Sequence, residues 1–373
     1  MSPFDPQKKC FCGSGEIYAN CHGKVVYKHI NELLSGQRKF GKHTGCTYFE
    51  NDRFCGNPVI KSHGIQRKYV LSQISEDGFV CGFNNGPNAK RVTFEGDLGF
   101  QKIHVSRAST FPGFCGKHDN EVFKKIENRN LNRGYQDALL SAYRAHCYET
   151  VIHTNAAVFQ KWLLDAAKIE FPFEPDIMVN ETHNMLVYAR YCWELKKTFE
   201  KIIGKKSVRK LYFHTAIIEG TLPFCGTGSF CIETDFKGRK LQRFGGNGPF
   251  NYAQLSVLPL KNGNTFFSIS AVNDKNDKAA HDFVCAISEV PDMHLAEAAL
   301  KACLCHTENT YFRPSFLDSL SESQLSRVLF LFDDSNVMEV GKEKESNALI
   351  RPTGILFENK VLERNSNLRK GKL

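Results

Sequence analysis

Cysteine and histidine carry the chemistry that is easiest to read in this chain. Cys10, Cys12, Cys21 and His22 fall in one short run, Cys10-Phe11-Cys12-Gly13-Ser14-Gly15 followed by Cys21-His22-Gly23. Thiolate and imidazole are ligands that Zn2+ prefers, and a Cys3His set closes its tetrahedron with no position left for substrate. The glycines let the backbone turn tightly enough for close neighbours to converge on one ion. A closed set implies a structural ion. The segment 1–30 is too short and polar to build a hydrophobic core, so bound metal must supply its folding energy.

A second set is spread more widely: Cys46 and Cys55, then Cys115-Gly116-Lys117-His118. Two ligands from a loop or hairpin and two from the first turn of a helix make a treble clef, with His43 or Cys81 as alternative ligands. The run from Asn120 to Ile126 has helical spacing, and Asp119 falls near the positive N-terminal end of that helix. Between the two ligand pairs, Val59-Ile60-Lys61-Ser62-His63 reads as a short apolar strand ending in a lone histidine. The other eight cysteines, Cys81, Cys147, Cys192, Cys225, Cys231, Cys285, Cys303 and Cys305, are read as small buried hydrophobes.

The run Cys10 to Gly23 resembles the SEC-C motif, a zinc-binding tail named for the C-terminus of the bacterial translocation motor ATPase. That resemblance implies a docking element for protein partners. Residues 46–125 resemble, in part, an HNH endonuclease, in which a Cys pair, a strand-borne His, a loop Asn and a final Cys-x-x-Cys-His helix form one ββα-metal unit. This second resemblance implies His63 as the general base that activates water against a phosphodiester. It sets Asp119 where the family's last His holds a catalytic Mg2+ or similar ion, and a carboxylate suits so hard an ion. The chain departs from the pattern in three places. Ser62 stands where the family has another acid or His, the loop Asn is left among Asn84, Asn85 and Asn88, and Cys46 and Cys55 are farther apart than the usual pair.

The rest of the composition bounds the partners. Net charge is +9, which favours polyanions such as nucleic acid. Lys61, Arg67, Lys68, Lys90, Arg91, Lys102, Arg107, Lys117, Lys124 and Lys125 surround the second set in sequence, as would suit sequence-independent phosphate contacts. Neither an export leader nor an apolar run of membrane-spanning length is found, so no membrane is expected. Fourteen cysteines in 373 residues fit a reducing cytoplasm. Walker, dinucleotide and Gly-x-Ser-x-Gly signatures are missing, which argues against ATPase, dehydrogenase and simple hydrolase readings.

The elements that must position these residues follow from periodicity. The expected fold class is α+β: a zinc knuckle at 1–30, an HNH-like module at 43–127, a larger domain at 131–335 and a polar basic tail at 336–373. Helical spacing runs from Leu131 to about Lys168 and from Glu181 to Gly204, and again over 292–304 and 318–332. Short β-like runs cover Lys210–Glu219, Ser229–Phe236, Ala253–Leu260, Thr265–Val272 and Asp282–Ile287, close enough in sequence for an antiparallel sheet. The combined expectation is a metal-dependent endonuclease with one or two structural Zn2+, acting on nucleic acid in defence against foreign DNA. The competing expectation is a non-catalytic, zinc-dependent adaptor that docks protein partners.

Overall fold

The computed structural model describes residues 7–9, 15–20, 44–50, 53–83, 99–127, 131–132, 134–162, 175–205, 210–242, 251–273, 278–336 and 352–368. Cys10, Cys12, Cys21 and His22 lie outside them, as do Asn84, Asn85 and Asn88. The fold is mixed α+β. Its centre is an eight-stranded sheet in the order β12-β7-β10-β9-β8-β11-β4-β5, with every pairing antiparallel. In chain order its strands are β4 (Phe79–Phe83), β5 (Phe100–His104), β7 (Leu211–Ile218), β8 (Phe224–Cys231), β9 (Tyr252–Pro259), β10 (Thr265–Val272), β11 (Thr310–Phe312) and β12 (Val361–Ser366). Strands from 43–127 and from the tail therefore share one sheet with those of 131–335.

Helices cover both faces, which is why β7 to β10 read as nearly continuous buried runs. On one face Leu255, Val257, Phe267 and Ile269 pack against α4 (Lys278–Ser288), α5 (Leu295–His306) and α7 (Glu322–Asn336) through Phe283, Ile287, Ala299, Leu300 and Leu331. A short α6 (Pro314–Asp318) precedes α7. The opposite face holds α2 (Tyr135–Trp162), and α3 (Pro175–Gly204) packs on α2 in turn. Under α2 the sheet is partly polar. The paired residues Thr227, Ser256, Ser268 and Thr215 form one row across four strands.

Three expectations change. The run from Asp282 to Ile287 is helical, within α4, because Ala279, Ala280, Phe283, Val284 and Ile287 recur on one face and bury it. Its short apolar stretch looked like a strand only when cut off from the alanines before it. β8 starts earlier than Ser229, since Gly226 and Gly228 continue the strand where α5 and β11 come close. A Cβ on Gly226 would meet Cys303 Sγ at 2.6 Å, and one on Gly228 would meet Thr307 Cβ at 2.5 Å. The tail, expected as polar and irregular, contributes the edge strand β12. No helix among the described residues is long and apolar enough to cross a membrane.

Candidate metal centre and its neighbouring polar cluster

The strand β1 (Phe49–Glu50) pairs with β2 (Arg53–Phe54) in a small hairpin whose arms begin at Cys46 and end at Cys55. Cys55 N donates to Tyr48 O at 2.9 Å and Gly56 N to Cys46 O at 3.1 Å, so pairing across the hairpin closes the gap that separates the two cysteines in sequence. The other two ligands come from α1 (Gly116–Phe123). Cys115 is its N-cap residue and His118 sits in its first turn, with Asp119 N donating to Cys115 O at 3.0 Å. The four ligand atoms of Cys46, Cys55, Cys115 and His118 lie within 4.8 Å of one another, a group that can hold a metal ion. Cys46 Sγ is 3.5 Å and Cys115 Sγ 3.6 Å from His118 Nδ1.

The thiols are set unequally. Burial pushes Cys46 up to about 11, against the pull of the Cys115 and Tyr48 amides. Burial acts on Cys115 in the same direction, yet the His118 amide and the Cys46 and Cys55 thiols leave it below its ordinary value. A thiol at a helix N-terminus is the expected first thiolate of such a set. Tyr48 stacks on the His118 ring at 4.3 Å and holds it in place.

The His63 and Asp119 readings concern a second group of residues beside this centre. β3 (Ser62–His63) pairs antiparallel with β6 (Thr110–Phe111), and the chain runs from β6 through Cys115 into α1, a strand–strand–helix unit. Backbone bonds fix the turn after His63: Gly64 N donates to Ser109 O at 2.8 Å, and Ile65 N to Ser109 Oγ at 2.7 Å. Ser109 adopts φ 58°, a left-handed conformation that costs a non-glycine residue about 1 kcal/mol or more. Tyr311 Oη accepts the Ser109 N–H at 2.6 Å and helps to hold it there.

His63 and Asp119 lie in the field of one shared ion pair. Arg144 of α2 bonds Glu127 through Nη2, and both groups act on His63 and on Asp119. Burial, with Arg67 and Arg144, lowers His63 to about 4, so its ring is neutral at physiological pH. His63 Nε2 is enclosed and has no hydrogen-bond partner among the described residues. Burial raises Asp119, against Arg144 and the nearby Ser62 hydroxyl, which closes no hydrogen bond of ordinary geometry.

Arg144 and Glu127 escaped sequence reading because each sits in ordinary helical or loop context, with nothing in its spacing to mark it. Cys81 lies on β4 against the sheet core, so it does not join the metal set, and His43 is outside the described residues. Of the eight cysteines read as hydrophobes, Cys81, Cys147, Cys192, Cys225, Cys303 and Cys305 are buried, while Cys231 and Cys285 are half-buried. Comparison with protein-family models, with curated proteins and with solved structures found no match.

Proposed function

We propose that this protein is a Zn2+-stabilised, metal-dependent phosphodiesterase acting on nucleic acid. Zinc is supported by the size of the ligand set. Zn–S bonds near 2.3 Å and Zn–N bonds near 2.0–2.1 Å, at tetrahedral angles, put sulfur and nitrogen about 3.6 Å apart. Cys46 and Cys115 stand 3.5 and 3.6 Å from His118 Nδ1. Three thiols and one imidazole leave no open position, which suits a structural ion that pins the β1–β2 hairpin to α1.

The observation that carries the catalytic half is the strand–strand–helix unit, which sets His63 at a strand end and Asp119 on the helix that follows, under the same Arg144–Glu127 pair. A neutral imidazole is the form able to take a proton from water. Asp119 is a carboxylate of the kind Mg2+ or Mn2+ takes; among the described residues no second group of three or more ligands is close enough to hold an ion, so a catalytic ion would be completed by the substrate's own phosphate oxygens and would supply positive charge there. Arg144 provides a fixed cation for a non-bridging oxygen. The test is incubation with plasmid, single-stranded DNA and RNA in Mg2+ or Mn2+, beside His63→Ala. Cleavage by the parent protein and a large loss in the variant are expected. Equal cleavage by both, or none by either across these metals, removes the reading.

The enclosure of His63 Nε2 favours a second reading, a zinc-dependent adaptor without catalysis. In that case His63 is a packing residue, and His63→Ala changes stability while no substrate is cut by either protein.

A further inference from the structure

Immediately after His63 the chain forms one wall of a small cavity beside α2. Gly64 and Val70 line that side, Ser141 and Arg144 of α2 line another, and the floor is the polar part of the sheet, Thr227 of β8 and Ser256 of β9. All six are buried, whereas Lys261, from the β9–β10 turn, is exposed and marks the mouth. The cavity measures about 30 Å³. One molecule of liquid water takes roughly 30 Å³, so the space admits a water or a single ion of similar size and no phosphate ester.

The lining selects between those two guests. No Asp or Glu lines the cavity, and both lining charges, Arg144 and Lys261, are positive. Ser141 and Arg144 stand three residues apart on α2 and so share a face of it. Ser141 is 3% exposed and Arg144 7%, and neither Ser141 Oγ nor Arg144 Nε has a hydrogen-bond partner among the described residues. Glu127 takes Nη2 of that guanidinium and the Phe123 ring lies 4.2 Å from its Cζ, which leaves the Nε edge for a guest. Thr227 Oγ1 already accepts from Asn309 Nδ2 at 2.9 Å, so its own hydrogen is what it still has to offer. Guanidinium and ammonium groups only donate. Donors gathered in one place, with no carboxylate to take a water's hydrogens, suit a guest that only accepts. The apolar surround of Val70, Leu258 and Leu260 strengthens the attraction of such a guest to the two cations.

We infer that this cavity is a binding site for one small monovalent inorganic anion of halide size, held by Arg144 Nε and the Ser141 hydroxyl with Lys261 at its mouth. Lys261 Nζ lies 5.7 Å from the Tyr69 ring, which keeps the ammonium on the cavity side of the turn. The anion completes the Arg144 guanidinium at the edge that Glu127 leaves empty. It therefore fixes the cation next to His63 and Asp119, but the site rests on the cavity and its unsatisfied donors and not on the phosphodiesterase reading.

The experiment is titration of the full chain with sodium chloride at constant ionic strength, with sodium gluconate, too large to enter, making up the difference. Binding is read from broadening of the chloride NMR resonance and from the melting temperature. Saturable broadening that bromide reverses and sulfate does not is expected, with a melting temperature that climbs as chloride replaces gluconate, since a ligand of the folded state stabilises it by mass action. Ser141→Ala should weaken chloride by roughly tenfold, the loss that follows from one hydrogen bond to a charged group. That variant removes a hydroxyl with no partner, so in gluconate alone it should melt with the parent, which separates a lost site from a lost fold. Lys261→Gln, on an exposed turn, should weaken chloride as well. Absence of saturable broadening in the parent means that the cavity holds water only and overturns the proposal. So does chloride binding unchanged in both variants, and so does sulfate competing as well as bromide, because the cavity has no room for it. Nucleic-acid cleavage is no part of either readout, so this proposal and the phosphodiesterase reading stand or fall separately.

Discussion

Lys196 and Glu200, one turn apart on α3 and both buried, grip the metal hairpin together. Lys196 Nζ donates to Thr47 O at 2.6 Å, while Glu200 Oε1 accepts from Phe49 N at 3.2 Å and from Tyr143 Oη at 2.6 Å. The two side chains also bond each other. Thr47 and Phe49 flank Tyr48, whose ring stacks on the ligand His118, so the second helical layer reaches the metal centre through three consecutive residues.

Breaking that grip should therefore loosen the whole N-terminal half. Lys196→Met leaves Glu200 charged and buried without its partner, and removal of one member of a buried pair costs about 3–5 kcal/mol. Urea unfolding is expected to show a loss of that order, with part of it recovered in the double variant Lys196→Met, Glu200→Gln, where no unpaired charge remains. A double variant no more stable than the single one would show that the ion pair is not what holds the hairpin.

Metal removal tests the centre directly. Cys55→Ser should lower bound zinc by about one equivalent per chain, measured by elemental analysis of purified protein, because a three-ligand remainder holds the ion far less tightly. Chelation of the parent should raise tryptic cleavage between residues 44 and 127 and leave β7 to β10 protected, since the cluster of Leu255, Val257, Phe267 and Ile269 under α4, α5 and α7 contains none of the ligands, although the cluster on the opposite face includes Cys46 and Cys115. An unchanged zinc content in Cys55→Ser would show that these four side chains do not share an ion.

Acid should destabilise the fold through buried histidines. His146, whose ring nitrogens lie 2.8 Å from Ser229 Oγ and 2.8 Å from Cys192 O, and His214, with neither nitrogen bonded among the described residues, are both lowered by burial from 6.5 to about 4. A depressed folded value means that the unfolded chain binds the proton first. The stability is complete above about 6.5 and is lost as pH falls towards 4, at about 1.4 kcal/mol per pH unit for each proton taken up. His214→Leu removes one such proton and two unsatisfied nitrogens, so it should flatten the fall between pH 6.5 and 4.5 and cost little at pH 7.5. Urea midpoints across that range measure it, and an unchanged slope would refute the assignment.

Much of this architecture was legible, and the failures are physical. Helical periodicity located α2, α3, α5 and α7, and β7, β9 and β10 stood out as apolar runs between turns, because each buries a long continuous face. Gly226 and Gly228 hid the first half of β8, since a glycine chosen for close approach of α5 looks the same in sequence as one chosen for a turn. The Cys46, Cys55, Cys115 and His118 set was legible from residue type and from the spacing of Cys115 and His118 at a helix start, with His43 and Cys81 left open as alternatives; the structure brings these four together as a group that could hold a metal ion. Arg144 and Glu127 were not, because they are 17 residues apart in the chain, and Lys196 and Glu200 were not, because an i,i+4 pair looks the same in sequence whether it is buried or solvated.

The turn behind His63 offers the sharpest separation of catalysis from packing. Gly64 has no room for a side chain: a Cβ there would meet Tyr148 Cδ2 at 2.8 Å, Ser109 Oγ at 2.9 Å and Asn309 Nδ2 at 3.1 Å. Gly64→Ala must displace the backbone or these neighbours, and Ser109 cannot yield easily, because its Oγ already accepts from Ile65 N and its N–H is held by Tyr311. Overpacking of this kind costs about 1–3 kcal/mol. The shift falls on the residue next to His63, so cleavage by Gly64→Ala should drop by much more than the folded fraction does. Gly113→Ala reaches the same strand from the other side, since its Cβ would clash at 2.2 Å with the Phe111 ring, and Phe111 is paired with Ser62 beside His63. If both variants lose cleavage only in proportion to folded protein, the geometry at His63 does not govern the reaction.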